Sequence, residues 1–474
     1  MAVVLLSFCL LSVLLLVGKF LRVKIKLLQI LYLPSSVIGG ILGLGIVYAI
    51  KYLYIGDLIA TNKGALNDNF IRVYDEIVNE WSSLPGLLIN LVFAALFLGV
   101  KLPSMRKIWN VGGPQFIYGQ IVAWGQYVVG IGIVIFLLKP LFKVQDYFGV
   151  IVPIGFEGGH GTAGGLTKTF EKFNWAAGKD FGLAAATIGM ISGITIGMVL
   201  INWAIRRGYV TKLKGFNDQT EGEQKGIYET HEDRPVAGWQ TVHADSVDSL
   251  AFHASFVGVA IFIGYLLKQI LIAIHFVSPF WLQKLNVLNS FPLFPLCMLG
   301  GLLVQVILNR TNKQMLLDHH LMQRVSGAAL DFLVVAAVAT IKLEVISQNL
   351  LPFAIICLVG ILWNVFCVLF VSRIVLPNYW FERSVAEMGQ SMGVTATGLL
   401  LLRTVDPNSE TDAPAAFGYK QLLHEPFMGG GLWTSTALPL VFVHGGMMVF
   451  LIALGAMVIL FILWLLLRNS WRES

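Results

Sequence analysis

Hydrophobic runs close to the ~20 residues that a helix needs to cross a bilayer recur from one end of this chain to the other. Ala2 to Val17, Val37 to Leu53, Gly182 to Ala204 and Leu350 to Val371 are examples. Hydrocarbon offers no hydrogen bonds to a backbone, so each such run must satisfy its own N–H and C=O groups as a helix. The expected class is therefore an all-α polytopic membrane protein. The 474 residues are 56% hydrophobic and only 13% charged, with a mean hydropathy of +0.75, which excludes a soluble domain.

The remaining composition follows from that class. Cys9, Cys297, Cys357 and Cys367 all lie in apolar stretches without metal-ligand spacing, so they read as packing residues. The formal charge of +6 comes from basic residues in short loops, which speaks for topology and against a nucleic-acid partner. No Lys or Arg precedes the first run, whereas Lys19, Arg22, Lys24 and Lys26 follow it; the first run is expected to stay as a span.

About ten spans are predicted on the ~20-residue criterion: 2–19, 33–53, 84–101, 115–138, 182–205, 249–267, 286–308, 326–343, 350–371 and 432–467. The last is overlong and contains Pro439 and Gly445–Gly446, which predicts a break. The basic clusters Lys19 to Lys26, Lys101 to Lys107, Arg206 to Lys214 and Arg310 to Arg324 fall on one side if both termini lie outside. The 51–82 loop, with Asp57, Asp68, Asp75, Glu76 and Glu80, falls on the other.

The polar stretch 207–248 reads as a cytoplasmic linker between a first transmembrane repeat, 1–206, and a second, 249–474. An odd number of spans in each half, about five, makes a duplication inverted across the membrane. Two matches support it. Pro34 to Gly39–Gly40 and Pro295 to Gly300–Gly301 both read P-x4-G-G. Gly86, Asn90 and Lys101 match Gly327, Asp331 and Lys342 at one constant offset.

Two segments are too short to span and too rich in glycine to remain helical. The first, near 147–170, is apolar from Tyr147 to Phe156 and then runs Glu157-Gly-Gly-His-Gly-Thr-Ala-Gly-Gly165; the second, near 380–404, contains Met388 to Gly398. Both read as re-entrant hairpins whose tips enter from opposite faces and meet near the midplane. Helix N-termini there suit a carboxylate, and unwound carbonyls with Ser and Thr oxygens suit an alkali cation.

The strings Gly158-Gly-His-Gly-Thr162, Pro34 to Gly40 and Gly393-Val-Thr-Ala-Thr-Gly398, with Leu402–Arg403 and Asp406–Pro407, resemble the bacterial sodium/glutamate symporter family along nearly the whole chain. Glu157 and Ala396 depart from its pattern, where some members have Ser and Pro. The resemblance implies inverted five-helix halves, two re-entrant hairpins, sodium-coupled glutamate uptake at the plasma membrane, a homodimer, and a substrate domain that slides against a scaffold as an elevator.

The substrate-binding candidates at the first tip are Gly158, Gly159, His160, Gly161 and Thr162; those at the second are Ser391, Gly393, Thr395, Thr397 and Arg403. Arg403 offers a bidentate fork for a carboxylate or else snorkels to the surface, and His160 offers a hydrogen bond. The sodium candidates are Asn90, Asp331, Glu157 and Thr395. A carboxylate within a span, such as Asp331, calls for a partner. The resemblance implies sodium as the coupling ion, and no other cofactor is called for. Carriage of another dicarboxylate or small organic anion, coupled to sodium or protons, remains open. So do a membrane-embedded enzyme and a channel, although no HExxH motif occurs.

Overall fold

A computed structural model describes residues 2–30, 33–55, 65–100, 105–210, 234–278, 291–406, 410–425 and 427–472, with 222, 225, 227–228, 230–232 and 288. Among them the chain is all helix, with no strand. The long elements are α1 (Ala2–Lys24), α2 (Ser35–Ala49), α3 (Ala65–Ala95) and α4 (Met105–Ile133). After the short α5 (Gly159–Gly165) come α6 (Ala177–Arg206), α7 (Ser249–Val277), α8 (Phe294–Arg310), α9 (His319–Ala339) and α10 (Leu350–Phe366). The chain ends with α11 (Trp380–Met392), α12 (Thr395–Val405), α13 (Ala413–His424), α14 (Leu432–His444) and α15 (Gly446–Arg472).

Nine helices among the described residues are long and apolar enough to cross a membrane. The differences from the sequence expectation are local. The third span begins well before 84, at Asn69, because an amphipathic turn-on-turn extension continues the helix through Pro85. The seventh shortens to α8. The tenth breaks as expected: Gly445, at φ +80°, separates α14 from α15. Asp57, Lys101, Lys212, Lys214, Pro407 and much of the 207–248 linker lie outside the described residues.

Small residues set the helix crossings, since lipid supplies no hydrophobic drive between spans and close backbone contact must supply the attraction. The paired glycines of the two P-x4-G-G motifs work alike. A methyl on Gly39 would lie 2.6 Å from the Leu14 carbonyl of α1, and one on Gly40 2.6 Å from Val338 Cβ of α9. Gly300 abuts the Ala260 carbonyl of α7, and Gly301 the Ala94 carbonyl of α3, closely enough that neither tolerates a Cβ. In α6, Gly189 and Gly193 face Met392, and Gly197 faces Leu401. That ridge lets α6 carry the junction between α11 and α12.

Candidate functional site

The segment before α5 is wound unevenly: a 3-10 turn at Asp146–Val150 is followed by a π-turn at Pro153–Glu157. Gly159 then takes φ +67°, which glycine adopts without the Cβ clash of other residues. On the other side, α11 ends at Met392, Val394 is extended, and α12 starts at Thr395. Gly389 and Gly398 let α11 and α12 pack backbone to backbone: a methyl on Gly389 would sit 2.8 Å from Gly398 Cα.

The two breaks touch. A methyl on Gly159 would lie 3.2 Å from both the Gly393 carbonyl oxygen and Val394 Cγ1. A buried polar network surrounds them, contributed by five elements: the π-turn, α4, α11, α12 and α13. Gln390 of α11 donates from Nε2 to Glu157 Oε1 at 2.8 Å. Gln120 of α4 donates to His424 Nδ1 at 3.1 Å, which leaves His424 Nε2–H to donate to Glu157 Oε1 at 2.6 Å. Lys420, one turn before His424 on α13, reaches Glu387 Oε1 at 2.6 Å, Gln421 Oε1 at 2.9 Å and Gln390 Oε1 at 3.0 Å. The two glutamine oxygens accept its hydrogen bonds, and Glu387 is its ion-pair partner.

Glu387 also accepts from Gln115, whose amide donates to Oε2 at 2.9 Å. Gln126 donates to the Ser391 carbonyl at 2.7 Å, tying α4 to the second break. At the start of α12, Thr395 Oγ1 donates to Glu425 Oε1 at 2.8 Å and accepts from Gln421 Nε2 at 2.6 Å. Lys420, Glu387 and His424 are each 0% exposed at the side chain, a dry setting in which every charge needs a partner.

The sequence candidates divide accordingly. Glu157, Gly158, Gly159, Ser391, Gly393 and Thr395 lie at the breaks or in the network. Gly161 packs on Ile89, and Thr162 Oγ1 abuts Gly430. His160 points elsewhere: its Nε2 pairs with Thr187 Oγ1 of α6 at 2.9 Å. Thr397 is buried with its hydroxyl toward Gly393. Arg403 is exposed on α12 and takes no part in the network.

The two repeat-matched residues also have other partners. Asn90 spends its amide on the Gly86 and Leu87 carbonyls of its own helix, at 2.9 and 3.0 Å, and turns its oxygen toward Cys297. Asp331 is exposed and accepts from Ser36, in the first turn of α2. An anion there complements the positive end of the helix.

Glu387, Gln390, Lys420, Gln421, His424 and Glu425 were not singled out by the sequence reading. The available signal was spacing: Lys420 with His424, and Glu387 with Gln390, stand one turn apart on short helices, so each pair shares a face.

The sequence profile of the sodium/glutamate symporter family matches residues 3–407. Lys420, Gln421, His424 and Glu425 lie beyond the matched stretch. No curated protein and no solved structure matches the chain. With most of its length covered by that one profile and nine helices among the described residues able to cross a membrane, the chain belongs to the sodium/glutamate symporter family.

Proposed function

We propose that the chain imports glutamate coupled to sodium, through a site at the junction of Gly158–Gly159 and Gly393–Val394. The observation that carries this reading is the approach of the two helix breaks inside a buried polar network. Backbone that leaves a helix at membrane depth needs a polar partner, and a bound ligand is one. The first amides of α12 present a positive dipole end to a carboxylate. Thr395 and the Glu425 carboxylate beside it are hard oxygen donors of the type sodium takes, and they are the sodium candidates that geometry favours over Asn90 and Asp331.

The breaks are read as tips of re-entrant hairpins, 147–170 and 380–404, in inverted repeats 1–206 and 249–474. The glycine pairs support the repeat by reciprocity. Those of α2 meet α1 and α9, and those of α8 meet α7 and α3, so each uses its own half's first span and the third of the other. An elevator motion of the hairpins against these crossing helices, a homodimer in the plasma membrane and termini outside complete the reading.

The test is uptake of radiolabelled glutamate by the purified protein in liposomes. Accumulation against the glutamate gradient is expected with sodium outside and none with choline. Uptake indifferent to the sodium gradient would overturn the coupling.

A further inference from the structure

The two oxygens of Glu157 are used unequally. Oε1 accepts from both Gln390 and His424. Oε2 is buried and has no hydrogen-bond partner among the described residues. An ionised carboxylate has acceptor sites on both oxygens, and an anionic oxygen left bare in a dry setting costs several kcal/mol. The Lys420 ammonium is engaged elsewhere, by hydrogen bonds to Gln390 and Gln421 and by the ion pair with Glu387.

We infer that Glu157 Oε2 receives the ammonium group of the transported molecule, so that the site selects α-amino acids over dicarboxylates of the same length. This rests on the proposed transport reading and deepens it. The missing partner is a small cation, for which sodium and a substrate ammonium are the two sources. Sodium takes several oxygen ligands at once, whereas the groups seated on Glu157 are N–H donors of Gln390 and His424. Aromatic rings border the same place. Tyr127 lies within electrostatic reach of Glu157, its ring is 5.9 Å from that of the partly exposed Trp433, and Trp433 lies 4.6 Å from Trp124 at a tilt of 44°.

The test is binding to the purified full-length chain, in saturating sodium, of ligand pairs that differ only in the amine: glutamate and glutarate, aspartate and succinate, leucine and 4-methylpentanoate. The amine-bearing member of at least one pair is expected to bind about tenfold or more tightly, the worth of a charged hydrogen bond. Glu157→Gln keeps an acceptor for His424 and places an NH2 at the Oε2 position. It should abolish that preference while leaving the sodium dependence of the remaining binding unchanged. A wild type with no amine preference in any pair overturns the inference, as does equal loss of both members or a shifted sodium curve in Glu157→Gln; the last outcome assigns Oε2 to sodium. If the preference appears for an amino acid other than glutamate, the inference stands and the glutamate reading falls. Should Glu157→Gln not remain monodisperse, Glu157→Asp is expected to weaken only the amine-bearing member, and equal weakening overturns the inference.

Discussion

Lys420 Nζ lies 2.6 Å from Glu387 Oε1, with both side chains fully buried and carried by different helices, α13 and α11. The pair ties α13, the second helix after the second break, to α11, the helix before it. Removing one member of such a pair leaves a bare buried charge, at roughly 3–5 kcal/mol. Lys420→Met should therefore lower thermal stability sharply, and Lys420→Met with Glu387→Leu should recover most of the loss. Thermal unfolding in detergent checks this. A double variant no more stable than the single would show that the two charges do not depend on each other.

Gly119 makes room for that pair. A methyl there would collide with Lys420 Cε and lie 2.6 Å from Glu387 Oε1. Gly119→Ala should cost about 1–3 kcal/mol by overpacking. Gly418 has nothing within 4 Å of an added methyl, so Gly418→Ala is the matched control and should be close to neutral. Equal melting temperatures for the two variants would contradict the assigned packing.

Gly159→Ala tests the meeting of the breaks. The substitution forces a side chain into φ +67°, at roughly 1–2 kcal/mol, and adds a methyl 3.2 Å from the Gly393 carbonyl. Expression should fall modestly and transport almost completely. Normal uptake by a well-expressed Gly159→Ala protein would remove the contact from the transport cycle.

Asp331 separates a sodium ligand from a helix partner. With Ser36 as its partner at the start of α2, Asp331→Asn should cost about 0.3–1 kcal/mol of stability and leave the sodium titration of uptake on the wild-type curve. A steep fall in apparent sodium affinity would return Asp331 to the cation site.

Glu344, on the turn that follows α9, gives an acid-side signature outside the spans. Hydrogen bonds from Lys51, then Tyr48 and Tyr52, lower its pKa from 4.5 to about 2. A depressed carboxylate pKa contributes stability that is present above pH 4.5 and is lost as pH falls toward 2. Its side chain is 40% exposed, so screening keeps the effect small. Glu344→Gln should flatten the loss of stability between those pH values; an unchanged acid limb would count against the cluster.

Much of the architecture is legible in the sequence because its causes are local. Apolar length specifies spans such as Leu350 to Val371, and Gly445 beside Gly446 marks the break between α14 and α15. Glycine density likewise marks the breaks at Gly158–Gly159 and Gly393, although Gly159–Gly165, expected to unwind, forms the short helix α5. Local pattern does not say which partner a side chain takes where it has a choice: Asn90 satisfies its amide on its own helix, and Asp331 turns to Ser36.

By itself, then, the sequence determined a polytopic helical chain with two glycine-rich interruptions and a family resemblance, since bilayer thickness and backbone hydrogen bonding act on each segment alone. Only the tertiary structure decided what surrounds those interruptions. Glu157 meets Gln390 and His424 across 233 and 267 residues of chain, and Lys420 meets Glu387 on another helix. The physical reason is that a buried charge is tolerated only beside its complement, and which complement is within reach is set by how the helices pack.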